Sequence, residues 1–190
     1  MLILDNPTTW PVHVIDQLNS NKVVQLCKSQ DYMEHIAEHP DLIDIFADVE
    51  KFAISDGIAG YHCTKQPSNV SFKSIGLRSL DFARHHAEVR ALIRQHPSVD
   101  DELYGHIDSK LTDWQYNHTG DRENKLWFCM TRTLVLDSGT DLFFKYFGGE
   151  SVYFPFLDDK SVIPILESIG KPVVVEANIN PADLFVFQWC

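Results

Sequence analysis

No apolar run in this 190-residue chain approaches the ~20 residues needed to cross a bilayer. Its opening, MLILDNPTTWPVH, lacks a basic segment followed by a long apolar one. Membrane insertion and export are therefore not expected. The four cysteines, Cys27, Cys63, Cys129 and Cys190, contain no C-x-x-C pair, which argues against a disulfide framework and a Cys-rich zinc site. A reducing cytoplasm is the expected setting. Basic residues are few: 16 Lys and Arg stand against 27 Asp and Glu, for a net charge of -11. Such a surface repels phosphate backbones and acidic membranes on average, so a nucleic-acid substrate would need a local basic patch. Lys65 with Lys73 and Arg78, or Arg84 with Arg90 and Arg94, are the candidates. Repeats, low-complexity tracts and Gly/Ser linkers are also missing, and one domain over residues 1–190 is expected.

Apolar and aromatic residues are plentiful, at 44% and 12% of the chain, enough for a sizeable core. The first 57 residues read as mainly helical. Thr8 or Thr9 can cap a helix entering through Trp10 and Pro11, since proline is tolerated in a first turn. Val23, Val24, Leu26 and Cys27 suggest a short helix or buried segment, and Asp31 can cap the next stretch. From Asp41, the positions Leu42, Ile43, Ile45, Phe46, Val49, Phe52 and Ala53 recur at intervals of three and four, as one buried helix face requires. Ser79 to Gln95 form another helix, capped by Ser79 or Asp81, with Phe82, Val89, Leu92 and Ile93 inward. A further helix is expected around Glu102 to Trp114, and a turn at Gly120.

Strands are expected at Gly60 to Thr64, Lys125 to Thr131, Ser151 to Leu157, Pro172 to Asn178 and Leu184 to Trp189. Pro155 would confine the third to an edge. Helices dominate before residue 60 and strands after 125, a segregation that reads as α+β.

Chemistry-bearing residues gather in three patches: Gly60-Tyr61-His62-Cys63-Thr64, then Gly76-Leu77 twelve positions after Thr64, then Phe147-Gly148-Gly149-Glu150-Ser151. In these patches the chain resembles the diphtheria-toxin-like branch of the ADP-ribosyltransferases, whose first strand carries Y-H-G-T and whose later strand carries a catalytic Glu. The resemblance implies N-terminal helices packed beside a split mixed or antiparallel sheet, with residues 58–190 as the NAD-binding part. It implies that NAD is the substrate. His62 would hydrogen-bond a ribose hydroxyl, Tyr61 and Thr64 would help fix the dinucleotide, and Glu150 would contact the nicotinamide ribose. Cleaving the glycosidic bond to nicotinamide builds positive charge on the sugar, and a carboxylate aimed there stabilises the transition state more than the ground state. Cys63 departs from the family's Gly, which allows close approach of the dinucleotide, so either the ligand sits differently or the small thiol is tolerated. The aromatics that sandwich the nicotinamide ring are assigned to Phe128 and Tyr146, with Tyr104 and Tyr116 as alternatives; ordinary core packing is the competing explanation for each. An intracellular toxin or defence enzyme is the implied setting. The expected acceptor is a macromolecule, protein or nucleic acid, with a small molecule or water as alternatives; the polar segment from Ser98 to Asn124 is the candidate for choosing it, and a neutralising partner protein is a further candidate.

Other residues carry competing readings. His35 and His39 have i, i+4 spacing without a third ligand, so no metal is expected. His85 and His86 are adjacent on a helix and do not suit a shared ion. A Cys-His hydrolase would use Cys63 or Cys129 as thiolate, with His62, His106 or His118 as base. A non-enzymatic immunity-type protein, whose acidic surface covers a basic target, is the remaining alternative.

Overall fold

The computed structural model of the chain describes residues 1–28, 39–118 and 122–183. These residues form an α+β structure with ten α-helices and one two-stranded antiparallel sheet. The chain divides into two compact units. Met1–Gly60, Met130–Arg132 and Glu176–Cys190 make the first, and Tyr61–Cys129 with Thr133–Val175 make the second.

In the first unit, α1 (Val12–Leu18), α2 (Asn21–Lys28) and α3 (Pro40–Asp56) bury Val14, Val23, Leu42 and Ile45 together, with Trp10, Leu18 and Val49 packed around them. The expected periodicity of α3 holds for Leu42, Ile45 and Ala53. Ile43 and Phe46 fall on its exposed side, because one face of a 3.6-residue helix cannot take them as well. At the start of the unit, Thr8 and Thr9 do not cap α1. They lie in a 3-10 turn (Pro7–Thr9) whose cap is Asn6, and Pro11 precedes α1. Leu2 adds a parallel bridge to Ile58, and its side chain is fully buried.

The strands are β1 (Ile58–Gln66) and β2 (Lys171–Ile179), as expected for the segments around Gly60 to Thr64 and Pro172 to Asn178. After β1 come the short α4 (Phe72–Ile75), then α5 (Phe82–Arg94) and α6 (Asp101–His118), the latter a turn longer than the expected Glu102 to Trp114. Asp81 caps α5 by accepting a hydrogen bond from the Arg84 N–H at 2.9 Å. The buried face of α5 is Phe82, His86, Val89 and Ile93, spaced four, three and four, so a histidine takes a place that the apolar pattern leaves open. Four short helices complete the set: α7 (Arg132–Val135), α8 (Asp141–Lys145), α9 (Glu150–Tyr153) and α10 (Ile163–Ser168).

Two expected strands are not strands. Lys125 to Thr131 makes one isolated antiparallel bridge, Cys129 to Tyr61, and its Lys125 and Trp127 carbonyls accept hydrogen bonds from the Leu80 N–H and the His62 ring. Ser151 to Leu157 folds as α9 and a 3-10 turn (Phe154–Phe156), which turns Val152, Tyr153 and Phe156 into one core. An apolar run of this length has no periodicity that separates strand from buried helix, and here helical packing wins. The expected strand Leu184 to Trp189, the cap at Asp31, the turn at Gly120 and His35 lie outside the described residues.

The core of the second unit joins Val89 and Ile93 of α5, Ile107 and Leu111 of α6, and Tyr146, Phe147, Val152, Tyr153, Phe156, Val162 and Leu166. Burying each such side chain contributes roughly 1.5–3 kcal/mol before conformational entropy is counted. Lys65 of β1 is also buried, at 4% exposure. Its ammonium donates to the carbonyls of Lys145 at 3.2 Å, Leu166 at 3.4 Å and Glu167, and so ties the C-terminal ends of α8 and α10 to β1. This removes Lys65 from the basic patch expected with Lys73 and Arg78. In the other candidate patch, Arg90 pairs with Asp108 at 2.5 Å and Arg94 with Asp101, so their charges are met within the protein.

Candidate functional site

All six residues singled out by the sequence lie in the second unit. Tyr61 is buried, and its N–H and carbonyl exchange hydrogen bonds with Cys129, both at 2.9 Å. That bridge lays Trp127 and Phe128 alongside β1. The His62 ring meets Phe128 edge-on with centroids 5.9 Å apart, and its Nδ1 lies 2.9 Å from the Trp127 carbonyl. A carbonyl only accepts, so Nδ1 carries the proton and a neutral ring keeps Nε2 as an acceptor. Burial lowers the His62 pKa, partly offset by the Trp127 hydrogen bond, which favours that neutral form. Thr64 is two positions further along β1, on the same half-buried side as His62.

Glu150 opens α9 instead of lying on a strand. Gly148 and Gly149 precede it with φ of +92° and +70°, where a side chain is strained, and a Cβ on Gly148 would meet Val152 at 2.6 Å. The Gly-Gly pair therefore forms a sharp entry that puts Glu150 at the first helical position with Gly149 as cap. The turn is clamped from α5 by two histidines. His85 Nε2 lies 2.8 Å from the Gly148 carbonyl and His86 Nε2 lies 3.1 Å from the Ser151 carbonyl. Both nitrogens must donate, one on each side of Glu150. Burial lowers the pKa of both histidines, that of His86 to about 4, so each ring is neutral near pH 7.

The Glu150 carboxylate pairs with Arg122. The Arg122 guanidinium in turn lies over the Trp127 indole, 5.7 Å from its centroid. His62 and Glu150, eighty-eight positions apart in sequence, are thus joined through Trp127 and Arg122. Next to this chain of contacts is a cavity of about 300 Å³ lined by Trp114, His118, Arg122, Trp127 and Phe154. Trp114 and His118, one turn apart on α6, stack with centroids 3.7 Å apart at 14°.

No protein-family model, no curated protein and no solved structure matches the chain. The chemistry of the site therefore rests on its own residues.

Phe128 packs against the His62 ring. Tyr146 is placed elsewhere: it is buried in the core, 5.6 Å from the Tyr153 ring. Of the alternatives, Tyr104 lies under Arg94 at 4.6 Å, and Tyr116 is 87% exposed on α6. Cys63 and Cys129 hydrogen-bond to each other. Burial, and next the neighbouring thiol, push Cys63 up to about 12, and burial also raises Cys129, the opposite of what a nucleophilic thiolate requires. His106 and His118 are committed elsewhere, His106 to Asp159 at 2.6 Å and His118 to Trp114. No group of three or more His, Cys, Asp or Glu among the described residues could hold a metal ion.

Arg122, Trp114 and the histidine pair were not legible as site residues. Arg122 sits in a polar stretch with nothing in its neighbours to mark a partner twenty-eight positions away. The signal for His86 was available: its place in the 82, 86, 89, 93 face of α5 requires burial, and a buried imidazole needs a polar partner.

Proposed function

We propose that the chain cleaves NAD and transfers ADP-ribose to a macromolecular acceptor, through an ADP-ribosyltransferase-like site in which Glu150 meets the charge developing on the nicotinamide ribose. The observation that carries the reading is the linkage of His62, Trp127, Arg122 and Glu150 in one unit, at the positions where the Tyr61-His62-Cys63-Thr64 and Gly148-Gly149-Glu150 patches resemble that family. His62 presents an acceptor Nε2 for a ribose hydroxyl while its other nitrogen is held by the Trp127 carbonyl. Phe128 supplies a ring face beside it, and Thr64 offers a hydroxyl on the same side of β1. The C1′–N1 bond of NAD breaks with its electron pair leaving on nicotinamide, and the acceptor's nucleophilic atom then forms the new bond to C1′ and gives up its proton. A preorganised carboxylate at the sugar is worth most as that positive charge appears.

The test is to incubate the purified protein with labelled NAD and cell extract, and to sort the label into nicotinamide, protein and nucleic-acid fractions. Nicotinamide release with label on one macromolecular fraction is expected. No release in the presence of any fraction returns the protein to the acidic binding-protein alternative.

A further inference from the structure

The cavity beside Arg122 is built from π faces. Trp114 and His118 stack nearly parallel, Phe154 lies 6.0 Å from Trp114, and Trp127 closes the side beneath Arg122. Such a lining selects a flat heteroaromatic ring, because a planar π system gains contact over a whole face at little cost in flexibility. The charged group on the cavity wall is the Arg122 guanidinium, a rigid fork of donors that suits a phosphate. A volume of about 300 Å³ is on the scale of a single ring with its sugar. None of these residues belongs to the three patches that carry the family resemblance.

We infer that this cavity is a nucleotide subsite, taking a base against the Trp114 and Trp127 indoles and its phosphate on Arg122. The consequence of occupancy for Glu150 rests on the NAD reading. In the free protein Arg122 is held by Glu150. A phosphate competes for the same guanidinium, so seating a nucleotide draws Arg122 away and leaves the Glu150 carboxylate facing the sugar with its charge uncompensated. Nucleotide binding and exposure of the carboxylate are thereby coupled. The nucleotide is either the adenosine-phosphate half of NAD or a nucleotide of a nucleic-acid acceptor. The net charge of -11 favours NAD.

The experiment titrates the full chain with AMP and with adenosine, read by quenching of tryptophan fluorescence. AMP should bind at least about tenfold tighter than adenosine, the scale of a charge-assisted contact. Arg122→Gln should erase that preference while adenosine affinity stays within about twofold, which also shows that the variant is folded. Trp114→Leu should weaken AMP and adenosine alike. Displacement of AMP by NAD assigns the subsite to the dinucleotide, and displacement by a single-stranded oligonucleotide with NAD still bound assigns it to the acceptor. Equal binding of AMP and adenosine, no AMP binding at millimolar concentration, or displacement of AMP by neither competitor overturns the inference. Nicotinamide release by the wild-type chain is measured alongside: release without AMP binding sinks the subsite alone, and AMP binding without release sinks the NAD reading alone.

Discussion

At Lys65 a charged side chain is buried with main-chain carbonyls for partners, and burial lowers its pKa while Glu167 opposes the shift. The contacts bind the C-terminal ends of two short helices, whose last carbonyls have no intrahelical donor; the Leu166 carbonyl also accepts from the Phe147 N–H at 3.0 Å. Replacing Lys65 by Met keeps much of the aliphatic stem but removes the ammonium that three carbonyls share. The expected loss is at least about 2 kcal/mol in a urea titration, and an unchanged midpoint would mean that water substitutes for the ammonium without cost. Nothing in the local sequence Cys63-Thr64-Lys65 distinguishes this lysine from a solvated one. Alternation along β1 does place Tyr61, Cys63 and Lys65 on one side with Ala59, all buried, while Gly60 is buried on the other. His62 was legible as a special residue for the complementary reason: it shares the half-buried side with Thr64. Arg122 was not, because an ion pair between distant segments leaves no trace in either.

Among the elements, α5 has two tasks. Val89 and Ile93 reach the core, while His85 and His86 hold the turn that carries Glu150. The two rings leave α5 in different directions, yet they reach the same turn because Gly148 and Ser151 sit on opposite sides of Glu150. His85→Ala and His86→Ala should therefore each lower nicotinamide release more than NAD affinity, by about tenfold, since a carboxylate displaced by a fraction of an ångström loses transition-state contact first. Replacement of His85 by Gln, which can still donate to the Gly148 carbonyl, should recover part of the rate; equal losses for Gln and Ala would show that only packing matters there. Helices α3 and α5 were legible from their buried faces, α6 only as one helix within a polar, acidic stretch, and β1 and β2 from short β-rich runs bounded by turn residues. The segment Ser151 to Leu157 was misread because Tyr153, Phe154 and Phe156 favour a strand locally, whereas the Gly148-Gly149 entry and the core around α5 and α6 impose a helix.

For the whole molecule, the burial that keeps His85 and His86 neutral sets a pH dependence. His86 has a folded pKa of about 4 against 6.5 for an open histidine. The unfolded chain takes up a proton first as pH falls through 6.5, so stability declines from there and the full loss, on the order of 3 kcal/mol, is reached near pH 4. Asp159 extends the decline. Burial would raise its carboxyl, but hydrogen bonds from Ser161 and His106 bring it down to about 2, so its contribution is present above 3.8 and is lost as pH falls from 3.8 towards 2. A denaturation series from pH 8 to pH 3 should show a steady fall beginning near 6.5, and His86→Gln should flatten its upper part. A stability that is level between pH 7 and pH 4 would contradict the assigned state of His86. No described helix is long and apolar enough to cross a membrane.

The role of charge at Glu150 is decided by NAD binding and nicotinamide release measured together on the wild type, Glu150→Gln and His62→Ala. Glu150→Gln keeps shape and hydrogen-bonding capacity but removes the charge, so NAD should bind within a few-fold of wild type while turnover falls by a factor on the order of 100 or more. His62→Ala should lose affinity as well as turnover, because it removes the acceptor for a ribose hydroxyl in both ground and transition states. A folded Glu150→Gln variant that releases nicotinamide at a near-normal rate would contradict the account.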